Sequence, residues 1–119
     1  MYQIRVSSSF SAAHNLREDN GKCENLHGHS WKVELCIEDN ELDGSGFLYD
    51  FRAVKKALRE QLERYDHSYI NELVPFDSIN PTAENLAFYI FTELKKDFPK
   101  LKEVTVWESD DARATYIGE

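Results

Sequence analysis

Apolar and polar residues alternate along residues 2 to 14, with Ile4, Val6, Ser8, Phe10, Ala12 and His14 on one parity. That period predicts a long strand with one buried face. A second alternating run covers residues 26 to 38, where His27, His29, Trp31, Val33, Leu35 and Ile37 share a parity, and it predicts a second strand. Between the two, Asn15 to Gly21 is polar and loop-like, and Cys23 follows it directly. Asn40 to Gly46 is rich in turn residues, and Gly46-Phe47-Leu48-Tyr49 leads to Asp50, a helix N-cap by type. The period then changes. Phe51, Val54, Leu58, Leu62 and Tyr65 recur at steps of three and four, which predicts an amphipathic helix over residues 51 to 65. Asn80 as N-cap with Pro81 at the first helical position announces a second helix, striped by Ala87, Ile90, Phe91, Leu94 and Phe98 and stopped by Pro99. Residues 101 to 109 alternate again, with Val104, Val106 and Glu108 on one parity, and Arg113 to Ile117 forms a short last strand after the turn at Asp110-Asp111.

The order strand, strand, helix, helix, strand, strand predicts an α+β layer. Two sequential hairpins make a four-stranded antiparallel sheet (β-β-α-α-β-β) with two helices on one face. Such a sheet leaves two edges unpaired, and edges are commonly hidden by association, so a symmetric homo-oligomer that continues the sheet between subunits is expected. At 119 residues the chain is expected to be a single domain spanning 1–119.

Charge narrows the partners. The chain carries 14 basic and 22 acidic residues, a net charge of −8, with no block of lysines or arginines. This pattern lacks the footprint of a nucleic-acid or anionic-membrane binder and points to a small-molecule substrate. No apolar run approaches the roughly 20 residues of a membrane span, and Met1 to Arg5 shows no signal-peptide core, which makes the cytoplasm the expected location. In that reducing setting Cys23 and Cys36 are not expected to pair. Cys36, on the parity opposite the histidines, is read as packing.

The chemistry gathers on the second strand. His27 and His29 lie two apart on one face, roughly 6 to 7 Å by strand rise, as two metal ligands would. Antiparallel pairing with the first strand brings His14, on the matching face, beside them. Three neutral imidazoles suffice for Zn²⁺ at about 2.0 to 2.1 Å and leave a fourth position open to water or substrate, as in catalytic sites. Cys23 is either a base whose thiol, ordinarily titrating near roughly 8.5, is acidified by the cation, or a fourth ligand closing a structural site. His67 is either an acid/base group oriented by Asp66 or a histidine favoured by the helix C-terminus. Glu108 has a bland reading too, solvated or paired with Arg113, and Thr82 reads first as a helix-start residue.

Phe10-Ser11-Ala12-Ala13-His14, Cys23 through His27-Gly28-His29, Asp66-His67, Pro81-Thr82-Ala83-Glu84-Asn85 and Val106-Trp107-Glu108 stand in this order, with Gly46, Asp50-Phe51 and Tyr116 to Glu119 around them. With these motifs the chain resembles, over essentially its whole length, the 6-pyruvoyl-tetrahydropterin synthase / 6-carboxy-tetrahydropterin synthase family. The resemblance implies the tunnelling fold (T-fold), whose units assemble into a trimeric β-barrel, commonly as a dimer of trimers. It also implies zinc held by His14, His27 and His29, and dihydroneopterin triphosphate bound between subunits. Cys23 would be the base, Asp66 with His67 an acid/base pair, and Glu108 the pterin anchor, with Thr82 adding a hydroxyl. A carboxylate can accept two parallel hydrogen bonds from the amino and N–H edge of a pterin. Arg17 and Lys22 are candidates, by position, for gripping the triphosphate.

The three-residue gap between Cys23 and His27 resembles the carboxy-forming branch of the 7-deazaguanine (queuosine) pathway. That branch is a lyase releasing acetaldehyde and triphosphate. Two alternatives stand beside it: a pyruvoyl-forming synthase that eliminates triphosphate without cutting the carbon chain, and a non-catalytic zinc-stabilised pterin-binding module. The thiol and the Asp66-His67 pair speak against the last, since binding alone requires neither.

Overall fold

The computed structural model describes residues 1–18 and 24–118. Its elements are β1 (Tyr2–His14), β2 (His27–Asp39), α1 (Phe51–Leu62), β3 (Ser68–Tyr69), a short 3-10 turn (Ile70–Glu72), α2 (Ala83–Lys95), β4 (Leu101–Ser109) and β5 (Ala112–Ile117). They build one sheet of order β3-β1-β2-β4-β5. The pairs β1/β2, β2/β4 and β4/β5 are antiparallel, as the hairpin reading predicts.

The sheet is mixed and five-stranded where four antiparallel strands were expected. The addition is β3, which runs parallel to β1 through Ala12 opposite Ser68 and Ala13 opposite Tyr69. Two residues carry no readable period. Their pairing is set by the backbone after α1, where His67 adopts a positive φ of 56° and its N–H donates to the Ser11 carbonyl at 2.6 Å.

α1 starts as its sequence directs, with the Asp50 carboxylate accepting the Arg52 N–H at 2.9 Å. It ends at Leu62, short of the expected Tyr65, which is buried in the turn that follows. α2 begins at Ala83 with Thr82 as its N-cap, not Asn80. The Thr82 hydroxyl oxygen accepts the Asn85 N–H at 3.1 Å, while the Asn80 side chain is engaged with the backbone of Arg17.

One parity of the sheet and both helices share the core. Val6, Phe10, Trp31, Val33, Leu35, Ile37, Val104 and Val106 meet Val54, Leu58 and Leu62 of α1 and Leu86, Ala87, Ile90 and Leu94 of α2, so both helices cover the same face. Leu58 is fully buried there. Replacing it by Ala is expected to cost about 2–5 kcal/mol in chemical denaturation, because the removed methyl groups leave a cavity that the sheet cannot fill; a loss under about 1 kcal/mol would mean that α1 can collapse onto the sheet.

On the other face, Arg5 bridges Glu34 at 3.1 Å and Glu103 at 2.9 Å. Cys36 lies beneath this cover, wholly buried as a free thiol, and burial pushes its titration up, as its packing role requires. Both sheet edges are largely bare among the described residues. β3 covers β1 only at Ala12 and Ala13, and β5 is the last strand on the opposite side. No helix is long and apolar enough to cross a membrane.

Candidate metal centre

The β1/β2 register places His14 directly opposite His27, and Ala12 opposite His29. All three histidines therefore reach the inner face at the loop end of the hairpin, opposite from the Tyr2/Asp39 end. Trp31, next on the same parity and fully buried, forms the floor, with its ring centroid 4.8 Å from that of His14 and 5.4 Å from that of His29. The Trp31 indole N–H donates to the Ala12 carbonyl at 3.3 Å, which holds the floor in place.

Two of the rings are oriented by backbone carbonyls. His14 Nδ1 lies 2.8 Å from the Pro81 carbonyl oxygen, and His27 Nδ1 lies 2.9 Å from that of Asn25. A carbonyl only accepts, so in each neutral ring Nδ1 carries the proton and Nε2 the lone pair. Those two Nε2 atoms stand 3.1 Å apart. Two lone pairs aimed at one point repel unless a cation or proton lies between them. His29 Nε2 is buried and makes no hydrogen bond to any of the described residues, although Glu108 Oε1 is 3.2 Å away. An unsatisfied buried polar atom costs about 1–3 kcal/mol and calls for an explanation. A metal ion explains both features. Ligand atoms of His14, His27, His29 and Glu108 all lie within 4.8 Å of one another; the three imidazoles are a donor set suited to zinc, and the carboxylate stands at its edge. Burial is the main force holding the His29 pKa below its ordinary value; neighbouring His14 and His27 add to it and Glu108 opposes it. The neutral ring this favours is the form that ligates.

Glu108 follows the parity of the buried Val104 and Val106, and the β2/β4 pairing of Lys32 with Trp107 and Val33 with Val106 brings it to the histidine end of β2. The β4/β5 register shifts between Trp107, opposite Arg113, and Ser109, opposite Ala112. The bland pairing with Arg113 does not occur, since that guanidinium lies over the Trp107 ring at 5.2 Å. Glu108 also lines a pocket walled by Ala83, Glu84, Ala112, Arg113 and Ala114.

Asp66 and His67 form a pair at 3.1 Å between Oδ2 and Nδ1. The Ser11 N–H donates to Asp66 Oδ1 at 2.9 Å, and this bond first, then the neighbouring His67, holds the carboxyl below the usual carboxylate range. The pair is not part of the four-residue cluster, and the His67 side chain is 83% exposed. One chain thus gathers the three histidines and Glu108 and leaves Asp66-His67 facing outward. Cys23 and Lys22 lie outside the described residues. The Arg17 guanidinium donates to the carbonyls of Phe76 at 2.9 Å and Ile79 at 3.3 Å, which uses part of its five-donor capacity. Thr82 Oγ1 serves the helix start, which leaves its hydroxyl proton to donate.

Glu24 was missed by the sequence reading. Its carboxylate accepts the Leu16 N–H at 2.9 Å and sits 3.6 Å from His27 Nε2. The signal was present, since Glu24 is the one carboxylate between Cys23 and His27, but a lone acidic residue in a loop usually means solvent.

The sequence model of the family described as 6-pyruvoyl tetrahydropterin synthase matches residues 3–119. A Synechocystis sp. protein named 6-carboxy-5,6,7,8-tetrahydropterin synthase is 34% identical over 123 residues, covering 98% of this chain and 94% of its own length. A Pyrococcus furiosus protein named dihydroneopterin monophosphate aldolase is 33% identical over 112 residues, covering 92% and 91%. The structure of Caenorhabditis elegans 6-pyruvoyl tetrahydropterin synthase matches with a TM-score of 0.88 at 29% identity, over 99% of this chain and 96% of that one.

Proposed function

The chain belongs to the 6-pyruvoyl tetrahydropterin synthase family, and from that premise we propose that it is a zinc-dependent carbon–carbon lyase. It converts dihydroneopterin triphosphate and water to 6-carboxy-tetrahydropterin, acetaldehyde and triphosphate. The observation that carries the reading is the convergence of His14, His27, His29 and Glu108, with a buried His29 Nε2 that none of the described residues satisfies. Lewis acidity toward the hydroxyls of the substrate side chain is what zinc supplies when held by the three histidines.

The remaining work falls to side chains. Glu108 accepts the amino and ring N–H of the pterin, at the mouth of a pocket whose alanine walls suit a flat ring. Cys23 takes a proton from the side-chain carbon next to the ring. His67, held by Asp66, returns protons as triphosphate departs. Because His67 is exposed and outside the cluster of its own chain, it acts on substrate held by a neighbouring subunit. The bare edges of β1 and β5 support a trimeric ring of sheets, alone or as a stacked pair.

Carbon–carbon cleavage, rather than simple triphosphate elimination, is supported by the short Cys23 to His27 spacing and by the Synechocystis relative. A second reading has its own observation. Glu24 places a second carboxylate at the rim of the cluster, 3.6 Å from His27 Nε2, and a base there suits the retro-aldol cleavage for which the Pyrococcus furiosus relative is named. Incubation of the purified protein with dihydroneopterin triphosphate separates the readings. The expected products are acetaldehyde, read by a coupled alcohol dehydrogenase, and a pterin carrying a carboxylate, read by mass spectrometry. A pterin keeping all three side-chain carbons would reject the lyase reading for the pyruvoyl synthase. A hydroxymethyl pterin with a two-carbon phosphorylated aldehyde would reject it for the aldolase.

A further inference from the structure

His14 is the only wholly buried member of the cluster, and its Nδ1 meets a carbonyl, that of Pro81, contributed by a distant part of the chain. Pro81 lies in the irregular segment before α2, where no strand or helix fixes a carbonyl. Its placement depends on what ties that segment to the end of β1. Asn80, the residue before it, supplies the tie. Its side-chain oxygen accepts the Arg17 N–H at 2.8 Å, and its side-chain N–H donates to the Arg17 carbonyl at 2.9 Å. The amide thus pairs with Arg17 as a neighbouring strand would, three residues beyond His14. The Arg17 guanidinium reinforces the tie by donating to the Phe76 and Ile79 carbonyls on the same segment.

Resting on the zinc reading above, we infer that Asn80 is a positioning residue for the metal centre. By tying the Pro81 carbonyl to the chain that leaves His14, it keeps the proton of the His14 ring on Nδ1 and the lone pair of Nε2 facing the cluster. The ring is fully buried, so bulk water cannot replace a carbonyl that drifts away. A drifted carbonyl frees the ring to place its proton on Nε2, which cannot then ligate.

The side chain can be removed without undoing the start of α2. The Thr82 N–H and the Asn85 side-chain N–H both bond to the backbone carbonyl of Asn80 at 2.9 Å, and an alanine keeps that carbonyl. Two measurements on Asn80→Ala test the inference. The first is the ¹⁵N NMR shift of the His14 imidazole in metal-free protein, well above the ordinary histidine pKa of about 6.5. Wild type is expected to show a proton on Nδ1, and the variant a mixture of tautomers. The second is zinc affinity by competition with a chelator, expected to weaken about 10- to 100-fold. Leu58→Ala, destabilising but remote from the centre, is expected to keep wild-type affinity. Wild-type affinity and an unchanged His14 tautomer in Asn80→Ala would overturn the inference and leave Asn80 a purely structural tie. If Asn80→Ala does not fold, Asn80→Asp, which keeps the acceptor for the Arg17 N–H and loses the donor, is read in the same assays. It is expected to fall short of wild type in both, and wild-type values would overturn the inference. Failure of wild type itself to bind zinc overturns the metal reading, while the tautomer measurement still decides whether Asn80 positions the ring.

Discussion

Replacing His14 by alanine is expected to weaken zinc binding by about 10²–10³-fold and to abolish turnover, with the fold retained. Apparent binding free energies of structural zinc sites are about 10–16 kcal/mol over a full ligand set, so a single imidazole accounts for roughly 3–4 kcal/mol. His27→Ala and His29→Ala should fall in the same range, and metal analysis after dialysis reads all three. If every single variant keeps one zinc per chain, the ligand assignment is wrong. Acid should act in the same direction as these variants, because protons compete with the metal for each ring. His29 adds a term in the metal-free protein. Its folded pKa lies below the unfolded value of about 6.5, so the unfolded chain binds more protons at this position. The metal-free fold therefore carries no penalty from His29 above that value and loses stability as the pH falls through it toward the lower folded pKa. Thermal melts of metal-free protein across this range should show wild type losing stability more steeply than His29→Ala.

Replacing His67 by alanine is expected to cut turnover by about 10²–10⁴-fold, the usual scale for a general acid or base, while leaving the zinc content unchanged. The residue lies outside the cluster, so its loss removes no ligand. A sharper result follows from its exposure. If His67 serves the metal centre of a neighbour, His67→Ala and His14→Ala subunits are inactive alone and complement when mixed. An oligomer containing both has an interface where an intact metal site of the first faces an intact His67 of the second. Unfolding and refolding the two together should recover activity in assemblies whose size, by light scattering, is a multiple of three subunits. Mixed assemblies without activity would place His67 at the metal centre of its own chain, and an active monomer would remove the intersubunit site altogether. Cys23→Ala provides the complementary comparison: retained zinc with lost turnover marks a base, whereas loss of metal and a large fall in Tm mark a fourth ligand.

Much of this was written in local pattern. The alternation along residues 2 to 14 and 26 to 38 gave two strands whose ends fall within one residue of the expected bounds. Matching parity also put His14 on the face of His27 and His29 before any register was known. The reason is that a strand with one buried face has little freedom: a slip of one residue turns every apolar side chain to solvent. Asp50 and the stripe Val54, Leu58 and Leu62 fixed α1 in the same way, through hydrogen bonds and burial that act within a few residues.

Other features were decided by contacts between distant segments. Asn80 has the chemistry of an N-cap, yet its amide is claimed by Arg17, 63 positions away, and Thr82 caps the helix in its place. Arg17, read from sequence only by its charge and position, also ties the segment before α2 by donating to the carbonyls of residues 76 and 79. β3 exists because a left-handed turn at His67 lays two residues beside β1, an arrangement too short to leave a period in the sequence. The approach of Glu108 to His29 depends on the pairing of β2 with β4, and the proton on His14 depends on the Pro81 carbonyl. By itself, then, the sequence determined β1, β2, β4, β5, the two helices and the shared face of the three imidazoles, because these rest on burial periodicity and on residue chemistry. Only the tertiary structure decided which nitrogen His14 presents, that Glu108 stands beside His29, and that Asp66 and His67 face away from the cluster of their own chain. Those outcomes turn on contacts between residues dozens of positions apart, where propensity is silent and three-dimensional proximity alone selects the partner.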